Sequence, residues 1–297
     1  MRQPLAIASA TLLAACHAPA ETRLTGPVSA SVTLEESRGR YDQYRVELQA
    51  AGETVTGRLL RPRDAAGTMP AVLLNNGREL NSEAVKYLPA EFGDVVVLSL
   101  DFPEAIPYEI SMRGFLLRST QIREELRRIP RFFSIGGAYL AQRPDVDSSR
   151  LIMVMTSFAV PFGVAAAAQD ERFRNVGLIY GAGDLARVFE ANLDLRPRFL
   201  RPVMGWLVMQ VYGEFEPTRF VARIAPRPVV MVNGRGDPQM PREAVQSLYD
   251  AAREPKTLIW LETGHLLPTN TQLIRALVDT MLDRLPALHV APGAVPQ

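Results

Sequence analysis

Hydrophobic and polar positions alternate through YRVELQAAGETVTGRLLRP on both sides of Gly52, and this period of two predicts an antiparallel pair of strands in a domain beginning near Tyr41. Two continuous apolar runs follow, MPAVLLNNG and GDVVVLSLDFP, each ending in turn residues. Runs of that kind are strands buried on both faces of a parallel sheet. An amphipathic stretch from about Arg113 to Arg143 predicts a long helix, closed by RPDVDSSR. Four more strand-like runs, LIMVM, VGLIY, PVVMVNG and TLIWLE, have helical segments between them. Strands alternating with helices make a doubly wound parallel sheet, and the leading antiparallel pair makes this one mixed.

The stretch from Asp184 to Ala225 is longer than a minimal crossover. Pro197, Pro202 and Pro217 interrupt it, which predicts two or three short helices inserted as a lid over 184–225. Its apolar residues, Met204, Trp206 and Met209 among them, are candidates for lining an acyl pocket or touching a membrane. Packing of the lid on the body accounts for them equally well.

Composition narrows the setting. A chain of 297 residues with 47% hydrophobic content has enough apolar material for one large domain. A net charge of +1 predicts no nucleic-acid partner. Only Lys86 and Lys256 of the 33 basic residues are lysines, a bias that fits bidentate anion binding or simply a GC-rich genome. Histidines are not clustered, cysteines are not paired, and no glycine-rich phosphate loop follows a strand, so neither a metal nor a cofactor is expected.

The one cysteine closes MRQPLAIASATLLAAC, which has an arginine near its start, a short apolar run and then small residues. The run is too short to span a bilayer and has the layout of a signal peptide over 1–15. Leu13-Ala14-Ala15-Cys16 resembles the lipobox of bacterial lipoproteins. That resemblance implies cleavage before Cys16 and its lipidation, hence a membrane anchor. His17 stands where that family's inner-membrane retention signal is an aspartate, which implies an outer-membrane address facing the periplasm. A plain secreted protein is the alternative, since the basic region holds a single arginine. Residues 16–40, rich in Ala, Ser, Thr, Pro and charge, predict a flexible tether, and 291–297 a flexible tail after a domain over 41–290.

The candidate chemistry sits in LIMVMTSFAVPFGVAAAAQ, where Ser157 separates a strand-like run from a helix-like run. A nucleophilic serine on such a turn is usually written G-x-S-x-G, because the sharp turn crowds the positions two residues either side. Here the pentapeptide is Met155-Thr156-Ser157-Phe158-Ala159. Ala159 is a mild departure and Met155 a large one, although an unbranched methionine can bend around an obstacle. Ser134, in RFFSIGGAY, follows an arginine-studded helical pattern instead of a buried strand and is not read as a nucleophile.

Farther on, IAPRPVVMVNGRGDPQMP runs a proline-led strand into a G-x-x-D turn at Asp237, and TLIWLETGHLLP ends a strand at Gly264-His265. Taken alone, Asp237 reads as a turn residue and Gly264-His265 as a strand end. Together, and in this order after Ser157, they resemble the α/β-hydrolase superfamily, whose triad runs nucleophile, acid, histidine along the chain. LAQRPDVDSSRLIMVM also resembles the approach to the nucleophile in dienelactone-hydrolase-like esterases. The resemblance covers about residues 41–287. It implies an α/β fold: a mixed, mostly parallel doubly wound sheet of the α/β-hydrolase type with an inserted helical lid.

The same resemblance implies a triad of Ser157, Asp237 and His265. Of the three histidines, His17 lies in the tether and His289 past the 41–287 stretch that the resemblance covers, which leaves His265 as the base. It further implies oxyanion donors at the amides of Phe158 and Arg78, the latter from Asn76-Gly77-Arg78 where the family often has His-Gly-x. The expected function is hydrolysis of a small-molecule ester or thioester by an envelope-anchored serine hydrolase. Two alternatives stay open: a peptidase of the same fold, and a non-catalytic hydrolase-like binding protein or scaffold, for which Met155 and Asn76 argue.

Overall fold

In a computed structural model the described residues are 23–77, 80–88, 93–106, 112–193, 199, 201–265 and 270–285. The strands are β1 (Ser29–Arg38), β2 (Tyr41–Ala50), β3 (Glu53–Pro62), β4 (Met69–Asn75), β5 (Val96–Leu100), β6 (Val146–Thr156), β7 (Phe173–Ile179), β8 (Val229–Gly234) and β9 (Lys256–Leu261). The helices are α1 (Met112–Gln142), α2 (Val160–Ala167), α3 (Leu185–Asn192), α4 (Arg201–Tyr212), α5 (Arg242–Ala251) and α6 (Thr271–Arg284). The strands form one nine-stranded sheet in the order β1-β2-β3-β5-β4-β6-β7-β8-β9. Pairing is antiparallel from β1 through β3 to β5, and parallel from β5 across to β9. The mixed, mostly parallel α/β architecture read from the sequence is the one observed.

Alternate residues of the central strands enter two separate cores, as a pleat of period two requires. Leu151, Met153 and Met155 of β6 pack toward the face that carries α1, α2 and α5. Ile152 and Val154 pack toward the opposite face, with Leu273, Leu277 and Met281 of α6. Both faces are covered, so β4, β5 and the Leu151–Met155 part of β6 read as nearly unbroken apolar runs.

The tether expected over 16–40 is corrected by the structure from residue 23 onward. β1 occupies Ser29–Arg38 and pairs antiparallel with β2 along its length. Ahead of it, the Leu24 amide donates to Ser134 Oγ at 2.9 Å, the Val28 amide donates to Gln142 Oε1 at 3.1 Å, and Gln142 Nε2 donates to the Gly26 carbonyl at 3.2 Å. β1 is an edge strand exposed along its whole length. Backbone pairing holds it, not a buried face: Ala30, Val32 and Leu34 alternate with polar residues, yet Val32 and Leu34 stay exposed. Ser134 has a structural role here: it is fully buried, and its hydroxyl donates to Asp170 Oδ2 at 3.0 Å while accepting from Leu24 and, at 3.0 Å, from Arg172 Nη2. Cys16, the signal-peptide segment and the 291–297 tail lie outside the described residues.

Candidate active site

Three strand ends on one edge of the sheet supply the site, as expected where ligands meet a doubly wound sheet at the carboxyl ends of its strands. Ser157 is the first residue past β6 and opens a short 3₁₀ turn, Ser157–Ala159, that runs into α2. Its φ is +52°. A non-glycine residue in the left-handed region is strained and needs surrounding structure to hold it. Buried β6 on one side and the buried helix α2 on the other provide that hold.

The crowding that normally requires a glycine at position 155 is relieved from the helix side. A Cβ built on Gly163 of α2 would run into Met155 Cγ and lie 3.0 Å from Met155 Sδ. The absent side chain at Gly163 is therefore the space that the Met155 side chain fills, and Met155 is completely buried there. Ala159, in the other glycine position, is also fully buried and small enough to fit.

Asp237 follows β8 and His265 follows β9. Gly234 permits their loops to touch, because a side chain there would strike the Thr263 carbonyl. The Arg235 amide donates to the Leu261 carbonyl at 2.8 Å, and the Gly236 amide donates to the Thr263 carbonyl at 3.0 Å. Across that junction His265 Nδ1 lies 2.6 Å from Asp237 Oδ2, and the Asp237 side chain is 0% exposed. The other carboxylate oxygen, Oδ1, accepts from the amides of Gln239 at 2.8 Å and Met240 at 3.3 Å. With its Nδ1–H given to the carboxylate, the imidazole turns the lone pair of Nε2 outward. His265 Nε2 lies 3.3 Å from Ser157 Oγ, within reach of the hydroxyl proton. The structure thus brings together the three residues that the sequence nominates.

Tyr180 is a site residue that the sequence reading passes over. It follows β7 with φ +52° and is fully buried. Its ring centroid lies 4.8 Å from that of His265, and its hydroxyl donates to the Gly264 carbonyl at 3.0 Å. Burial pushes the Tyr180 phenol above its ordinary value, so it stays a hydrogen-bond donor to the histidine loop. The available signal was the aromatic ending of VGLIY, which reads equally as the last core position of a strand.

Of the two oxyanion donors expected, Phe158 stands in the turn directly after Ser157. Its ring is wedged between Phe102 and Phe162, with centroids 5.3 Å away on each side. Arg78 lies outside the described residues. In the same loop, the Asn76 side chain accepts from the Gly77 amide at 2.8 Å.

A cavity of about 180 Å³ opens at Ser157 and is walled by Phe158, Phe162, Phe189, Tyr212 and Phe215. Met204, Trp206 and Met209, expected as substrate contacts, are not among its lining residues, which corrects that expectation. α4 buries Gly205, Val208 and Val211 and leaves Trp206 62% exposed. A helix apolar on nearly every side gives no phase from which to read its inward face.

Comparison with known proteins agrees with this frame. No family model matches the chain. An uncharacterized protein of Salmonella typhi, YfhR, is 27% identical over 129 residues, covering 42% of this chain and 43% of that protein. The match thus takes in less than half of the relative's length. An acetyl xylan esterase from a Paenibacillus species superposes with a TM-score of 0.65 at 18% identity, over 86% of this chain and 90% of that one. An α/β-hydrolase from a Penicillium species superposes with a TM-score of 0.52 at 17% identity, over 88% of this chain and 99% of the other. The chain has the α/β-hydrolase fold. In this α/β-hydrolase domain the strained serine, the buried acid and the histidine occupy the ends of β6, β8 and β9. Among the described residues no helix is long and apolar enough to cross a membrane.

Proposed function

We propose that the protein is a serine hydrolase of carboxylic esters or thioesters, with Ser157 as nucleophile, His265 as general base and acid, and Asp237 as the residue that orients the imidazole. Ser157 Oγ adds to the acyl carbon as its proton passes to His265 Nε2. Asp237 stabilises the resulting imidazolium, and the Phe158 amide, with Arg78 as second donor, receives the negative charge on the carbonyl oxygen. Collapse of that intermediate breaks the bond to the leaving group, which takes the proton from His265 and departs as alcohol or thiol. Water, deprotonated by the same imidazole, then releases the acyl group as a carboxylic acid.

The observation that carries this reading is the unbroken line from Asp237 Oδ2 through His265, at 2.6 Å, to Ser157 Oγ at 3.3 Å, ending on a serine held at positive φ. The likeness to an acetyl xylan esterase supports ester chemistry on this fold. The fit of Met155 against Gly163 removes the main steric argument for a non-catalytic protein. The test is turnover of p-nitrophenyl esters and acyl thioesters by the folded protein. Acceleration of about 10⁶-fold over buffer is expected, and a folded protein that turns over none of them overturns the reading. Anchoring in the envelope through Cys16 is a separate part of the proposal. Cys16→Ala is expected to release the protein from the membrane fraction, and unchanged fractionation refutes it.

A further inference from the structure

The cavity beside Ser157 constrains what the nucleophile can receive. Besides its aromatic walls it is lined by Leu185 and Val188 of α3 and by Met240, and among the described residues no charged side chain lines it. Asn192 sits at its edge, but its Nδ2 already donates to the Val188 carbonyl at 2.7 Å and the Gln239 carbonyl at 2.8 Å. Glu216, beside this wall, is turned to the backbone and accepts from the amides of Asp184 at 3.1 Å and Leu185 at 2.9 Å. That contact fixes the start of α3, so the wall is braced and its charge is engaged. A ligand's carboxylate or ammonium would meet only uncharged groups there, Asn192, Gln239 and Tyr212 among them, and would lose its hydration with no opposite charge to replace it.

The cavity touches Ser157 and Phe158, while His265 is not among its lining residues. A leaving group must depart beside the imidazole that protonates it. The part of a substrate in this cavity is therefore the part that stays on the serine, the acyl group. Size follows from volume: an apolar cavity of about 150 Å³ in another protein holds one benzene, so about 180 Å³ holds an acyl group of roughly six to eight heavy atoms.

Resting on the serine-hydrolase reading, we infer that the preferred substrate is an ester of an uncharged medium-chain or aryl carboxylic acid, of hexanoyl to octanoyl or benzoyl size, and not an acetyl ester. Phe162, Phe215 and Tyr212 form the aromatic pocket, with Phe162 and Phe215 packed 5.0 Å apart between α2 and the segment after α4. Val188 on α3 is one of the aliphatic residues of its wall.

The experiment compares kcat/KM across p-nitrophenyl acetate, butyrate, hexanoate, octanoate and dodecanoate, with p-nitrophenyl hydrogen adipate as a charged analogue of hexanoate length. Each buried methylene is worth about fourfold, so hexanoate is expected to exceed acetate by about 10²-fold, with the gain flattening beyond octanoate. The adipate monoester is expected to fall back to the level of acetate. Val188→Trp, whose indole fills the cavity, should lower the hexanoate-to-acetate ratio about tenfold, and Val188→Ala should shift the optimum to longer chains. The second variant keeps the test open where the first does not fold. Hydrolysis that is fastest for acetate, or equal for adipate monoester and hexanoate, overturns the chain-length inference and leaves the hydrolase reading standing. Absence of turnover on every ester overturns both.

Discussion

Ser157→Ala and His265→Ala each lower kcat/KM on a p-nitrophenyl ester by about 10⁴-fold or more, and the double variant loses little beyond either single one. The geometry is the reason. The serine is activated only through the imidazole 3.3 Å away, so removing either member silences the other. Asp237→Asn follows from the same contact. An asparagine can place its NH₂ toward Nδ1, and the ring then turns a proton toward Ser157 instead of a lone pair. The expected loss is in the range of 10²- to 10⁴-fold, mainly in kcat, with far-UV circular dichroism unchanged. Losses that multiply in the Ser157/His265 double variant would mean that the two side chains act independently, and the relay would be wrong.

Gly163→Ala is the second large effect, and it acts on stability. The added methyl would meet Met155 Cγ, with Met155 Cβ at 3.2 Å and Sδ at 3.0 Å. The obstacle is the root of the methionine side chain, not its mobile end, so it cannot swing clear. Overpacking of this kind costs about 1–3 kcal/mol. Met155→Ala empties the same space and costs about 2–5 kcal/mol, because β6 and α2 cannot close over the gap. The double variant Met155→Ala/Gly163→Ala should be more stable than the sum of the two losses, with a coupling of about 0.5–3 kcal/mol in urea unfolding. Simple additivity would show that the two positions do not share one volume.

How far the chain announced this arrangement depends on what each residue touches. The strands from β2 onward follow from alternation or from unbroken apolar runs, since burial on one face or both is written directly into composition. Ser157, Asp237 and His265 each sit beside turn residues at a strand end, and they were legible together only through their order along the chain, which resembles that of the α/β-hydrolase superfamily. Met155 was misleading for the opposite reason. Its glycine partner lies in the next helix, and a reading confined to the pentapeptide sees a defect where the fold has a complementary pair. The same limit hid β1, an exposed edge strand secured by backbone bonds, and Tyr180, whose meaning lies in a histidine in the loop after another strand. It also hid the inward face of α4, because an apolar helix seen alone has no preferred side. Ser134 was set aside as a nucleophile, and its role in pinning residue 24 required a partner far away in the chain.

Labelling of the intact folded protein with a fluorophosphonate, followed by peptide mass mapping, tests the central claim most directly. An activated serine forms a covalent phosphonyl adduct, and an ordinary surface serine does not. The expected result is about one adduct per chain, located on Ser157, with labelling lost in Ser157→Ala and His265→Ala. An unlabelled folded protein, or an adduct that persists in Ser157→Ala, would contradict the account.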